Sequence, residues 1–261
     1  MDRLPLILAT FCFLLSFLYT AYMLKTGGHR LSRFNLVMMG AGFLLQTWFL
    51  HTRGQAIGRC PLTNFFEILI FLSWSIVLLY LVVGPAYRLS LLGAFTSPLV
   101  ALIQLVALLA PIQDIPRPPT IADPWLETHA ALSIIAYGAF AMASVAGGMY
   151  LIQERQLKTH QLHSSFFFQM PPITHLATAN HRLLFAGLLL LTAGLLSGFL
   201  VHASLNPMKL AWGGLMWAIY LAILLARRAG PRRIALLSIA AFSLSITALW
   251  GLNYLVERTR L

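Results

Sequence analysis

The chain has 261 residues, of which 59% are hydrophobic and only 10% are charged. Because soluble domains carry about 25% charged residues, this composition excludes a soluble fold and predicts an all-α, polytopic membrane bundle. The net charge of +11 does not indicate nucleic-acid binding, since basic loops orient a membrane protein in an anionic bilayer. No CxxC or CxxCH motif is present, which argues against a common thiol oxidoreductase and a covalent c-type cytochrome.

Eight apolar runs predict eight transmembrane helices in a single domain over residues 1–261. Most runs approach the roughly 20 residues that a spanning helix needs, and none alternates as a strand would. We expect the first run to be retained, because no small-residue cleavage site follows it. The predicted spans are residues 4–25, 34–51, 64–83, 90–110, 128–152, 182–202, 210–226 and 234–256.

The basic residues predict that both termini lie on the outer side of a bacterial inner membrane. Most of the 18 Lys and Arg residues fall in the first, third, fifth and seventh connections between spans, which lie on one side of the membrane. The termini and the remaining connections, on the other side, hold fewer. The clearest cluster is RRAGPRR at residues 227–233. By the positive-inside rule these connections face the cytoplasm.

The longest connection, residues 160–181, is expected to lie at the membrane surface. Its four histidines do not have the spacing of a zinc site, so we interpret them as interfacial or helix-flanking residues. Small residues in the neighbouring fifth and sixth spans predict close helix packing without chemistry. They are Ala136, Gly138, Ala141, Ser144, Gly147 and Gly148, followed by Gly187, Gly194 and Gly198.

This topology gathers polar and aromatic residues at the outer ends of the spans. Trp residues there are typical of the aromatic belt at a membrane interface, and Asn64 with Glu67 has the spacing of a helix capping box. The gathered residues are Trp48, His51, Asn64, Glu67, Trp125, Glu127, His129, His202, Trp212, Trp217, Trp250, Asn253 and Glu257.

The functional interpretation centres on His129, near the outer end of the fifth span. A neutral imidazole in a water-poor, aromatic site is a natural axial ligand for haem iron. His202 and His51 are the outer-side candidates for a second ligand, and the sequence does not decide between them. Arg53, Arg59 and Lys209 are candidates to pair with haem propionates.

Three segments resemble the CcsA-type cytochrome c assembly proteins of system II. Residues 61–74, PLTNFFEILIFLSW, are similar to the family's PLSNLYESLxFLSW, and residues 125–137 to its WLxxHVxLxxxxYxxF. A third similarity covers YLIQERQLK at residues 150–158 and GLLSG at residues 194–198. The resemblance implies a haem-handling membrane protein that works with another assembly subunit, with His129 as an external haem ligand.

The chain also departs from this family pattern. The tryptophan-rich external loop is reduced to residues 202–212, where Pro207, Lys209 and Trp212 remain as a remnant. The family's transmembrane His falls near Leu224 or Leu225, and its external His after the last span has no counterpart. This pattern resembles the shorter HemX-like branch, which is associated with haem metabolism.

The leading hypothesis is a membrane protein of cytochrome c biogenesis that presents non-covalent haem b near the outer face. Its candidate haem-site residues are His129, His202, Trp125, Trp212, Glu67 and Asn64, with His129 as the iron ligand. One alternative is a HemX-like regulator or scaffold that binds no haem and contacts a haem-biosynthesis enzyme through its basic loops. A small-molecule transporter is disfavoured, because no ionisable residue lies at mid-membrane depth. We assign no catalytic residue and expect no self-contained haem lyase activity.

Overall fold

The computed structural model describes residues 3–26, 31–62, 64–86, 92–110, 123–159, 170–201 and 207–258. These residues form eight α-helices and no strand, and each predicted span falls on one helix. A 3₁₀ turn, Arg227–Ala229, precedes the last helix. The helices are α1 (Leu4–Thr26), α2 (Leu31–Ile57), α3 (Phe65–Ala86), α4 (Leu92–Leu109), α5 (Pro124–Lys158), α6 (Ile173–Gly198), α7 (Pro207–Leu225) and α8 (Pro231–Arg258).

The helices have the length and composition of a multi-pass membrane protein. Among the described residues, α1, α3, α4, α5 and α6 are long and apolar enough to cross a bilayer. Helix α7 contributes a shorter apolar segment, Leu210–Leu225. Helix α2 is more polar, because it carries the buried side chains of Asn35, Gln46 and Arg53. The polytopic all-α prediction is therefore confirmed.

Helix α5 lies at the centre of the bundle and packs against α6, α8 and α3. Small residues allow this close approach: Gly138 faces Ser75 of α3, and Gly187 of α6 faces the ring of Phe140. Phe140 also stacks on Tyr220 of α7, with ring centroids 3.4 Å apart. The predicted small-residue packing is thus confirmed at these positions, whereas a methyl group at Gly148 would meet open space.

Helices α2, α3 and α4 are joined by uncharged polar side chains in the interior. Gln46 donates from Nε2 to Ser73 Oγ at 2.5 Å and to Gln104 Oε1 at 2.6 Å. Gln104 in turn donates to the Leu6 carbonyl of α1 at 3.2 Å. In a lipid environment such pairs hold helices together because an unpaired polar group there is costly.

The helix ends separate into two sets. At the end that carries His129, named the His129 end, Arg3 donates to the Leu108 carbonyl at 2.9 Å, so the start of α1 meets the end of α4. At the opposite end, named the Glu154 end, Glu154 of α5 lies near Arg232 of α8. The predicted gathering of outer-side residues thus agrees with the antiparallel packing, while their leaflet stays a prediction.

Helix α6 begins earlier than predicted. Residues 173–181, predicted as part of a surface connection, form its first turns. The Asn180 side chain is buried between α6, α5 and α8, and its amide donates to the Ala143 carbonyl at 2.7 Å and to Ser238 Oγ at 3.0 Å. The predicted interfacial residues His160 and His163 lie outside the described residues.

Candidate functional site

The start of α5 is fixed by its own sequence. Asp123 caps the helix by accepting a hydrogen bond from the Trp125 N–H at 3.0 Å, and Pro124 occupies the first helical position. Glu127 lies in the first turn, where a negative charge interacts favourably with the helix dipole. His129 follows in the second turn, so its backbone position is well defined.

The imidazole of His129 packs against two glycines of α6. Its Nδ1 lies 2.7 Å from the Gly194 carbonyl oxygen, which also accepts a hydrogen bond from Ser197 Oγ at 2.7 Å. A methyl group at Gly198 would come within 2.9 Å of the same Nδ1. The four-residue spacing of Gly194 and Gly198 therefore creates the space that the ring fills.

This contact fixes which nitrogen of His129 carries hydrogen. A carbonyl oxygen can only accept a hydrogen bond, so Nδ1 is the donor and Nε2 of the neutral ring keeps its lone pair. Within the described part of the chain, Nε2 makes no hydrogen bond. Metal-binding histidines commonly hold their second nitrogen in this way, which orients the ring and raises its basicity.

Asn64 and Glu67 form the start of α3. Asn64 Oδ1 accepts a hydrogen bond from the Glu67 N–H at 2.8 Å, which confirms the predicted helix cap. The Glu67 carboxylate pairs with Arg53 of α2 through a 2.9 Å contact to Nε. Glu67 is fully buried and Arg53 is 5% exposed. Arg53 therefore has a carboxylate partner inside the bundle, and its pairing with a haem propionate stays a prediction.

The connection between α2 and α3 is tied to α5. The Cys60 N–H donates to Glu127 Oε1 at 3.1 Å. Two buried donors nearby, Arg59 Nε and Asn64 Nδ2, have no hydrogen-bond partner among the described residues. Burial, and then the charges of Glu127 and Glu67, raises the pKa of the Cys60 thiol, which disfavours the reactive thiolate.

The candidate tryptophans lie in two environments. Trp125 and Trp48 are exposed, as expected of side chains in an interfacial belt. Trp212 is half-buried, and its indole N–H has no hydrogen-bond partner among the described residues. Trp217 donates to Thr192 Oγ1 at 2.8 Å and so joins α7 to α6.

The structure brings only part of the predicted set together. Cys60 and Glu127 join the start of α5 to the connection that leads into Asn64 and Glu67, and His129 is joined to α6. His51 is exposed on α2, and His202 and the Lys209 side chain lie outside the described residues. In the part that is described, no three His, Cys, Asp or Glu side chains form a metal-sized group.

Comparison with known proteins identifies the family. The family model described as Cytochrome C assembly protein matches residues 62–259, which include His129, Gly194 and Gly198. The cytochrome c biogenesis protein CcsA of Prochlorococcus marinus (strain NATL1A) is 27% identical over 286 residues, covering 95% of this chain and 90% of the relative. CcsA of Chlamydomonas reinhardtii is 27% identical over 239 residues, covering 85% of this chain and 66% of the relative.

A further relative, CcsA of Chlorella vulgaris, is 32% identical over 163 residues, which cover 58% of this chain and 52% of that protein. The chain therefore spans about two thirds of the Chlamydomonas relative and about half of the Chlorella one. The matched part begins just before α3 and runs through α8, so it contains the whole α5–α6 contact. The chain belongs to the cytochrome c assembly protein family.

Proposed function

We propose that this protein acts in cytochrome c biogenesis by binding haem b non-covalently at the His129 end, with His129 as an axial ligand. The observation that carries the proposal is the 2.7 Å contact between His129 Nδ1 and the Gly194 carbonyl. It leaves Nε2 as the unprotonated nitrogen on a ring whose orientation is set by two helices. When bound, haem would supply an iron centre that accepts this lone pair.

Unpartnered donors at the same end favour an anionic group. Arg59 Nε and Asn64 Nδ2 are buried without hydrogen-bond partners in the described part of the chain, and a carboxylate oxygen is an acceptor suited to donors of either kind. Haem carries two propionates, so we propose that these two residues anchor one of them. Glu67 supports this arrangement indirectly, because it is paired with Arg53 beneath the helix start.

Trp125 and Trp212 complete the proposed site as aromatic walls. The Trp212 N–H is a further buried donor without a hydrogen bond among the described residues. A second iron ligand would come from His202, in the connection before α7, or from a residue of a partner. We also propose that the protein belongs to the HemX-like branch and lies in a bacterial inner membrane. There it would assist another assembly subunit or a haem-biosynthesis enzyme, and it would not itself catalyse the formation of thioether bonds to haem.

A reduced-minus-oxidised absorbance spectrum tests the proposal. The full chain is purified from haem-replete cells as wild type, as His129→Ala and as His51→Ala, an exposed histidine that serves as the matched control. We expect a Soret band in the wild type and in His51→Ala, and loss of most of it in His129→Ala.

The possible outcomes separate the competing hypotheses. A wild-type protein without a Soret band would refute haem binding and favour the regulatory or scaffold function. A band that survives His129→Ala at full intensity would refute the ligand assignment, and its loss in His51→Ala would transfer that assignment to α2.

A further inference from the structure

A cavity lies between α5, α6 and α8 on the side of the bundle opposite to His129. Its volume is about 430 Å³, within the range of about 300–1,000 Å³ that is usual for ligand sites. Polar side chains of Tyr150, Thr178, His181 and Arg182 line it, together with apolar Ala177 and Ile234. None of these residues belongs to the proposed haem site.

The sequence pattern of α6 predicts that the cavity lies at the depth of the lipid headgroups. The turns of α6 before Arg182 are polar, with Thr174, Thr178 and Asn180, whereas residues 183–191 are almost entirely apolar. Arg182 therefore marks the boundary between headgroups and hydrocarbon on this helix. Since Arg182 lines the cavity, we expect lipid headgroups of the same leaflet to lie within reach of it.

The surroundings of the cavity are strongly basic. Glu154 is the one carboxylate that the structure describes at this end of α5, α6 and α8, and it lies 2.8 Å from Lys158 Nζ and 3.5 Å from Arg232 Nε. Its negative charge is therefore already balanced. The described cations at this end of α5, α6 and α8, with the 3₁₀ turn before α8, are Arg155, Lys158, Arg182, Arg228, Arg232 and Arg233.

We propose that this cavity binds the phosphate headgroup of an anionic phospholipid. The guanidinium of Arg182 carries several N–H donors for phosphate oxygens, and the hydroxyl group of Tyr150 is a further donor. The Thr178 hydroxyl already donates to the Thr174 carbonyl at 2.9 Å, so it contributes only polar surface to the lining. Ala177 and Ile234 provide apolar surface for the glycerol backbone and the first acyl carbons. A bound lipid would join α5, α6 and α8 where their basic ends meet the membrane surface.

Lipid binding is measured by native mass spectrometry on the full-length protein in detergent, titrated with phosphatidylglycerol or phosphatidylcholine. Arg182→Gln removes a cation of the cavity, and Arg228→Gln removes an exposed cation of the same end as the control. We expect phosphatidylglycerol to bind preferentially and its affinity to fall about fivefold in Arg182→Gln, with little change in Arg228→Gln.

A second pair of variants leaves all charges in place. Ala177→Phe fills the cavity, whereas Ala193→Phe adds the same ring at an exposed position of α6. We expect only Ala177→Phe to reduce the occupancy of phosphatidylglycerol. Because neither readout involves haem, this result is independent of the proposed function.

Several outcomes would overturn the proposal. Equal binding of both lipids would remove the role of the anionic headgroup, and equal losses in Arg182→Gln and Arg228→Gln would indicate only general surface charge. Unchanged occupancy in Ala177→Phe would exclude the cavity. If millimolar inorganic phosphate displaced phosphatidylglycerol and occupied the cavity without any lipid, free phosphate would be the ligand instead.

Discussion

The buried ion pair between Arg53 and Glu67 gives the most direct test of how the His129 end is held together. Its atoms are 2.9 Å apart, and the side chains are 6% and 0% exposed. Breaking such a pair leaves one uncompensated charge in the interior, which costs about 3–5 kcal/mol, whereas replacing both partners by apolar residues is often nearly neutral. We therefore expect Glu67→Leu and Arg53→Met each to be strongly destabilising, and the double variant to recover most of the loss.

The two single variants should also differ from each other. A guanidinium stays charged at every accessible pH, whereas a carboxyl group also has a neutral form. Glu67→Leu, which leaves the guanidinium in the interior, should therefore be the more destabilising variant.

Unfolding by sodium dodecyl sulfate in mixed micelles, followed by tryptophan fluorescence, measures these free energies. The exposed pair of Lys158 and Glu154 supplies the control, since Lys158→Met should change the free energy of unfolding by about 0.5 kcal/mol or less. The reasoning is refuted if the single variants at Arg53 and Glu67 cost less than about 1 kcal/mol each, or if their effects simply add in the double variant.

Two further variants examine the surroundings of His129. Gly198→Ala should displace the imidazole, because its methyl group would lie 2.9 Å from Nδ1. We expect Gly198→Ala to lower the free energy of unfolding by about 1–3 kcal/mol and to weaken the Soret band, whereas the control Gly148→Ala should be neutral or stabilising. Equal effects of the two variants would contradict this contact. Glu127→Gln keeps an acceptor for the Cys60 N–H but removes a charge that helps to raise the pKa of the Cys60 thiol. Maleimide should therefore label Cys60 faster in this variant than in the wild type at pH 8. An unchanged labelling rate would exclude this electrostatic effect.

The helices could be predicted from the sequence because each depends on a local pattern. Apolar runs of sufficient length, separated by Pro, Gly and charged residues, indicate the eight segments that the structure confirms as helices. The start of α6 was missed because Thr174, His175 and Asn180 make residues 173–181 too polar for an apolar span. Those turns are nevertheless helical, since Asn180 finds partners on α5 and α8.

The contacts between helices were harder to predict. The spacing of Asn64 and Glu67 correctly indicated a helix cap, since that interaction lies within one turn. The partner of Glu67 lies 14 residues earlier on another helix, and one sequence does not show which faces of two helices meet. For the same reason Gly194 and Gly198 were recognised as small packing residues, whereas their contact with His129 depends on the rotation of α6 about its axis.

These contacts give the family-like segment 61–74 a physical role in a chain that lacks most of the tryptophan-rich loop. Asn64 and Glu67 fix the start of α3 and, through Arg53, its position against α2. The preceding Cys60 joins the same connection to Glu127, one half-turn before His129 on α5. The segment therefore positions the helix that carries the proposed ligand without itself supplying one. Because α6 fixes the imidazole from its other side, the orientation of His129 depends on contacts between α5 and α6 themselves.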